Sequence, residues 1–332
     1  MALPRRLSQT LSLPVVAAPM FLVSGPRIVL ESCKNGIIGT FPALNQRSTE
    51  GFEQWVIEIK QDLAKWERET GKTAPPYGVN LIVHRSNPRL YQDLEICVKH
   101  EVPLIITSLG AATKVIEAIH GYGGMVYHDI ISRRHAQKAA DAGVDGIIAV
   151  ASGAGGHAGT TNPFALIAEI RKFFDKTLLL AGCMNSGSDV AAAISMGADL
   201  AYLGTRFINT FESRADAAYQ RMIIDSGAKD IVYTPAVSGV HANFMKASLE
   251  EAGFDMEQLD KAGKMNYGEK LTPAKEEAKA WKTVWSAGQG VAGIEDVVPV
   301  SDLVSRIKQE FAESIHRQQQ YLDWLDPSSP SE

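Results

Sequence analysis

Gly146-Ile147-Ile148-Ala149-Val150, followed at once by Ala151-Ser152-Gly153-Ala154-Gly155-Gly156-His157-Ala158-Gly159, reads as a buried strand delivering a glycine-rich loop. Four glycines in nine residues let the backbone turn left-handed and approach a ligand closely. One imidazole, His157, projects from this loop. Such a loop suits a flat cofactor lying against backbone; the plain alternative is a surface turn with an incidental histidine. The rest of the chain decides between the two.

Seven more apolar runs frame that stretch: Pro14 to Ala18, Ile37 to Phe41, Tyr77 to Val83, Pro103 to Ser108, Met125 to Ile130, Thr177 to Gly182 and Leu200 to Gly204. They are rich in Val, Ile and Leu without strict alternation, as parallel strands covered on both faces are. Amphipathic segments lie between them, including Glu53 to Thr70, His135 to Ala142 and Asp189 to Met196. Gly143 and Gly197 stand where helices of this kind end. Eight β-α units in about 210 residues predict a (β/α)8 barrel over residues 1–211. An open doubly wound sheet would carry a dinucleotide fingerprint in its first turn, and none follows Ala18.

Past Phe211 the pattern changes. Residues 212–282 read as helices and loops without a strand period, with Met256 to Lys264 and Pro273 to Trp281 helical, and are expected to form a small subdomain capping one mouth of the barrel. Residues 283–332 hold a second glycine-bearing loop, Trp285 to Gly290, a closing helix or helix pair over Val300 to Trp324, and a Pro/Ser-rich tail from Asp326.

The 332 residues carry a net charge of −5 and no Lys/Arg block, which disfavours a nucleic-acid partner. No apolar stretch reaches membrane-spanning length. Cys33, Cys97 and Cys183 have neither disulfide nor zinc spacing, and a basic but Pro- and Ser-interrupted start shows no secretory signal, so a cytoplasmic protein without a bound metal is expected.

In barrels of this type ligands bind at the C-terminal ends of the strands, with phosphate beside the last two. The seventh run leads into Gly182-Cys183 and the eighth into Gly204-Thr205. These glycines permit close approach, and Thr205 adds a hydroxyl donor. A helix starting near Ser188 is expected to aim its positive end at the same place.

On these residues the chain resembles the nitronate monooxygenase (2-nitropropane dioxygenase) family of FMN-dependent (β/α)8 enzymes. Ala17-Ala18-Pro19-Met20 is similar to the family's first-strand flavin contact, and Gly78-Val79-Asn80-Leu81 to the segment with a flavin-facing Asn. Gly155-Gly156-His157 resembles the loop with the active-site histidine. The Gly182-Cys183 and Gly204-Thr205 turns resemble the phosphate site, and Ser286, Gly288 and Gln289 the C-terminal loop near the flavin ring. Two positions depart from the pattern: Gly153 stands where many relatives have Glu, and Cys183 where many have a second Gly.

The resemblance implies FMN-dependent oxidation of alkyl nitronates by O2 to a carbonyl compound and nitrite. His157 is then the catalytic group, acting either as a cation beside the anionic nitronate or as a neutral base toward a nitroalkane. Met20, Phe21 and Phe244 are candidates for an apolar substrate wall, with plain core packing the alternative. His128 is a candidate flavin contact and His241 a candidate substrate contact; either also reads as a hydrogen-bonded packing histidine. The rival readings are an NAD(P)H-dependent quinone or enoyl-thioester reductase on the same barrel, and a flavin-binding protein without turnover. Partners are limited to a small molecule and O2, with a homodimer left open.

Overall fold

The computed structural model describes residues 3–84, 86–110, 113–237, 239–257, 259 and 284–322. All eight apolar runs become strands of one closed parallel barrel. The barrel strands are β1 (Val15–Ala17), β2 (Ile38–Pro42), β3 (Gly78–Ile82), β4 (Leu104–Ser108), β5 (Met125–Ile130), β6 (Gly146–Val150), β8 (Thr177–Ala181) and β9 (Leu200–Leu203). The short β7 (Gly156–His157) lies outside the barrel, so β6 pairs directly with β8. Closure is made by β1, which pairs with β2 on one edge and with β9 on the other, Val15 opposite Ala201.

Strand parity sorts the side chains into two cores. Val16, Ile38, Leu104, Ile106, Tyr127, Ile148, Leu179 and Leu200 fill the barrel interior. Their strand neighbours, such as Val79, Ile105, Val126, Ile147 and Leu178, pack outward against the helices. Leu7, from a one-and-a-half-turn helix at Arg5–Thr10, is fully buried in the interior group and plugs the N-terminal end. The opposite, C-terminal mouth is the end left for a ligand.

The outer helices stop where the sequence has stop signals. Gly143 (φ +90°) and Gly197 (φ +107°) follow helices Arg133–Asp141 and Gly187–Ser195, in left-handed conformations that a side chain would strain. One helix, Val300–Gln319, closes the chain, burying Val300, Leu303, Val304 and Ile307 at helical spacing.

The segment after Phe211 differs from the expectation of helices and loops alone. It contains an antiparallel hairpin, β10 (Ile231–Thr234) and β11 (Ala242–Met245), between helices Ala217–Asp225 and Lys246–Glu251. β11 also pairs with β7, Ala242 opposite His157, giving a three-stranded sheet above the barrel. Four-residue strands leave too short a period to read locally, and the second partner of β11 is a loop more than 80 residues earlier. The expected helices at Met256 to Lys264 and Pro273 to Trp281 fall, apart from residues 256, 257 and 259, outside the described residues, as does the tail from Asp326. No helix among the described residues is long and apolar enough to cross a membrane.

Parity also places His128. It shares the helix-facing side of β5 with Val126 and Ile130, is 6% exposed, and its Nδ1 lies 2.7 Å from Thr107 Oγ1. Burial, with a smaller contribution from His135, pushes its pKa down from 6.5 to about 4. The unfolded chain therefore binds this proton first as pH falls, so stability drops between pH 6.5 and about 4. At about 1.4 kcal/mol per pH unit the His128 share is about 3 kcal/mol. His128→Gln is expected to remove that share of the acid loss, read as a flatter pH profile of the urea midpoint between pH 7 and 4.5. An unchanged profile refutes the assignment.

Candidate active site

The loop after β6 folds back over the mouth and is held from three sides. Ala154 and Ala158 pack into the barrel interior. Gly159 N–H donates to Val150 O and Ser152 N–H to Thr161 O, closing the loop on itself. From the cap, Asn243 Nδ2 donates to Ala154 O at 2.6 Å, and Tyr233 Oη to Ala158 O. From the C-terminal loop, Ser286 Oγ accepts from Gly156 N–H at 2.7 Å and donates to Asn243 O at 2.8 Å. The Tyr219 hydroxyl in turn donates to Ser286 O, with its ring stacked on Trp285.

These bonds demand backbones closer than side chains allow. A Cβ on Gly288 would stand 2.6 Å from Gly153 O and 2.8 Å from Gly155 N; one on Gly155 would stand 2.9 Å from Gly288 N. Ser286, Gly288 and Gln289, expected at the flavin, thus brace the His157 loop. The Ser286 hydroxyl is spent on that bracing, and Gln289 N–H donates to Gly153 O at 2.8 Å.

The two departures from the family pattern meet in space. Gly153 has φ +79°, and a Cβ there would lie 2.3 Å from Cys183 Sγ and 2.8 Å from Gln289 Oε1. The Cys183 thiol fills the space beside Gly153. Cys183 itself sits at φ +58°, a conformation that favours glycine. The position still requires a left-handed turn, and here a non-glycine residue bears the strain.

At the expected phosphate end, Gly182 has φ +131°, and a Cβ on it would come within 3.1 Å of Ser152 O. Gly204 caps the short helix Thr205–Ile208; a Cβ there would face Ala18 Cβ and Met20 Cγ at 3.7 and 3.9 Å. Thr205 Oγ1 accepts from Gly288 N–H at 3.0 Å, which leaves its own hydrogen free to donate. The N-terminus of helix Gly187–Ser195, expected to point at a phosphate, has carboxylate partners within the chain. The Asp189 carboxylate takes the N–H groups of Asn185 and Ser186, and Glu310 Oε2 takes that of Gly187 at 2.7 Å. The positive end of that helix is already neutralised by two carboxylates. Arg206 is likewise committed, its guanidinium 2.7 Å from Asp296 Oδ1.

The floor of the mouth holds the expected Asn80 and two residues that sequence reasoning missed, Ser108 and Asp129. Asn80 Nδ2 donates to Ile106 O and, at 2.7 Å, to Ser108 Oγ. A carbonyl only accepts, so the amide orientation is settled, and Asn80 Oδ1 is left as an acceptor. Ser108 Oγ then donates to Asp129 Oδ2 at 2.6 Å. Asp129 follows Tyr127 on the inward side of β5, where His128 had been the candidate; the difference is one residue of parity. The signal in the sequence was an acidic residue inside a strand with no exposed face.

Of the expected substrate wall, Met20 and Phe21 stand half-buried at the end of β1, Met20 alongside Gly204. Phe244 lies elsewhere: fully buried, it packs with Ala242, Leu249, Leu259 and Val284 in the core of the cap. The same strand's alternation sends Phe244 into that core and Asn243 toward the loop. His241 is exposed and stacks on Tyr233, ring centroids 5.0 Å apart.

Burial lowers the pKa of His157 below the ordinary histidine value, so its imidazole is neutral at pH 7. A neutral imidazole suits proton abstraction. The remaining groups fit a flavin phosphate ester: backbone N–H groups and a free hydroxyl hydrogen at Gly182–Cys183 and Gly204–Thr205, and an amide and a carboxyl at the floor for the polar edge of a ring. Among the described residues no group of His, Cys, Asp or Glu is arranged to hold a metal.

The Gly153–Cys183 contact has a measurable consequence. Gly153→Ala is expected to cost about 1–3 kcal/mol, from a left-handed φ and an overlap with the thiol. Cys183→Gly in the same chain is expected to restore part of it, with a coupling of about 0.5–3 kcal/mol in a double-mutant cycle by urea unfolding. Strict additivity is the contrary result.

Comparison with known proteins agrees with this fold. The nitronate monooxygenase family model matches residues 6–310. A nitronate monooxygenase from Paraburkholderia phytofirmans is 24% identical, covering 93% of this chain and 95% of its own. A (3aS,4S,5R,7aS)-5-hydroxy-7a-methyl-1-oxo-octahydro-1H-indene-4-carboxyl-CoA dehydrogenase from Rhodococcus jostii is 26% identical over 72% of this chain and 65% of its own. Among solved structures, nitroalkane oxidase from Streptomyces ansochromogenes superposes with a TM-score of 0.80 at 23% identity over 94% of this chain and 99% of its own. FabK from Thermotoga maritima superposes with a TM-score of 0.78 at 24% identity over 97% and 100%. These two structural likenesses carry the fold. With the family model matching residues 6–310, the chain belongs to the nitronate monooxygenase family of oxidoreductases.

Proposed function

We propose that this protein oxidises alkyl nitronates, and nitroalkanes by way of their nitronates, using FMN and O2, with a carbonyl compound and nitrite as products. The observation that carries the reading is His157: one imidazole, held on a braced strand over the barrel mouth, desolvated and neutral at working pH. Bound FMN supplies the electron transfer between nitronate and O2. The protein's own residues do the rest.

His157 takes the α-proton of a nitroalkane; the imidazolium so formed lies next to the nitronate anion in a water-poor site, where opposite charges attract strongly. Gly182, Cys183, Gly204 and Thr205 hold the phosphate through neutral donors. Asn80 orients the ring, and Ala18, Pro19 and Met20 form its apolar edge. Met20 and Phe21 exclude water from the alkyl chain of the substrate. His241, on the exposed rim, meets the outer end of that chain.

The deciding experiment is an anaerobic flavin spectrum with nitronate and then with NADH. Bleaching by nitronate supports the reading. Bleaching by NADH alone shows a reductase on the same barrel, and bleaching by neither shows a flavin-binding protein without turnover.

His157→Asn is expected to fold, keep its flavin and lose about 10²–10⁴-fold in kcat/KM on neutral nitroalkane, with a smaller loss on preformed nitronate. In the wild type, nitroalkane turnover should rise with pH to a plateau whose midpoint lies below the ordinary histidine value, because only the neutral ring accepts a proton. Near-wild-type rates on both substrate forms would take His157 out of the mechanism. Gly204→Asp is expected to lower FMN retention far more than thermal stability, since a Cβ finds room between Ala18 and Met20 while the carboxylate meets the phosphate. Full flavin occupancy in that variant would show the phosphate to bind elsewhere.

A further inference from the structure

The floor of the mouth contains a carboxyl group that the reaction above does not use. Asp129 lies on the inward side of β5, one residue from the strand's end. Its Oδ2 accepts the Ser108 hydroxyl, which itself accepts from Asn80, so three adjacent strands contribute to one hydrogen-bonded row. Its Oδ1 is buried, with no hydrogen-bond partner among the described residues. A buried acceptor left unmatched costs about 1–3 kcal/mol, more if charged. Such a group is expected to meet its partner in a ligand.

We propose that Asp129 takes up a proton when a flavin covers the mouth, and donates a hydrogen bond from Oδ1 to a carbonyl oxygen of the flavin ring. This rests on the flavin reading above.

Three observations support it. The donor row assigns the other oxygen, Oδ2, the role of acceptor, so Oδ1 is the site for the proton. Desolvation, opposed only by the Ser108 hydroxyl, already raises the Asp129 pKa from 3.8 to about 6. No Lys or Arg contributes to holding it ionised; the other titratable group that feels its charge is Tyr202 on β9, itself half-buried and protonated. His128 faces away on the outer side of the strand. His157, on the loop after the neighbouring strand β6, is neutral by burial. A ring laid over the mouth removes the water left to Asp129 and favours the neutral acid further. Carboxylate and proton join, nothing is oxidised, and the proton comes from solvent.

The test is calorimetric titration of the apoprotein with FMN at pH 7 to 8 in buffers of different ionisation enthalpy, which counts protons taken up. The phosphate ester also titrates near pH 6, so Asp129→Asn, which keeps all phosphate contacts and a donor at the floor, is the reference. Wild type is expected to take up close to one proton more than this variant. The variant's FMN affinity should lack this proton's pH dependence, whereas wild-type Kd rises at least tenfold relative to the variant's between pH 5.5 and 8. Ser108→Ala removes the group that favours the carboxylate, so its apoprotein begins more protonated and its uptake at pH 7 is smaller than wild type's. Equal uptake in wild type and Asp129→Asn, or in wild type and Ser108→Ala, overturns the proposal while leaving the flavin reading intact. Failure of the wild type to bind FMN at any pH overturns that reading instead.

Discussion

The contact on which the rest of this site depends is between two bare backbones, Gly153–Gly156 and Ala287–Gln289. They approach so closely that a methyl group on Gly288 or Gly155 would strike main-chain atoms. That approach lets Gln289 N–H reach Gly153 O, Ser286 Oγ reach Gly156 N–H, and Gly288 N–H reach Thr205 Oγ1. One contact thus ties the loop after the sixth barrel strand to the loop after the eighth and to a segment 130 residues downstream of Gly156. His157 gains a fixed position without any side chain of its own neighbourhood filling the space a ligand needs.

The electrostatics of the mouth follow from what is already committed elsewhere. Asp189 and Glu310 neutralise one helix terminus, and Asp296 neutralises Arg206. What remains toward the mouth is a set of backbone N–H groups, an amide, hydroxyls, a neutral imidazole and one carboxyl whose pKa burial raises to about 6. Uncharged donors in a low-dielectric site act strongly on an anion without demanding that a cation be desolvated.

The barrel was legible in the sequence because strands buried on both faces write themselves as continuous Val/Ile/Leu runs, and all eight did so. The glycine-rich loop and its histidine were legible for a related reason, since a backbone that must pass close to another cannot carry side chains. Three things were not. The hairpin at residues 231–245 is stabilised by β7, far away in sequence, and leaves no local period. Face assignment on β5 turned on one residue, which sent His128 outward and Asp129 inward. The work of Ser286 and Gly288 as braces depends on tertiary approach, which resemblance alone renders as cofactor contact. Phe244 shows the same limit: alternation along β11 decides that it enters the cap core.

Barrel closure has a consequence for how the chain reaches this state. β1 finds its second partner only in β9, with Val15 opposite Ala201, so the first strand made keeps an open edge until nearly two hundred residues have followed. The Leu7 plug belongs to an interior that does not exist until then. Folding must therefore wait on a contact of very long sequence separation, the kind whose loop-closure entropy slows a chain and leaves strand edges open to wrong partners. The window in which this protein is vulnerable to self-association lies in its synthesis, before the last barrel strand is available.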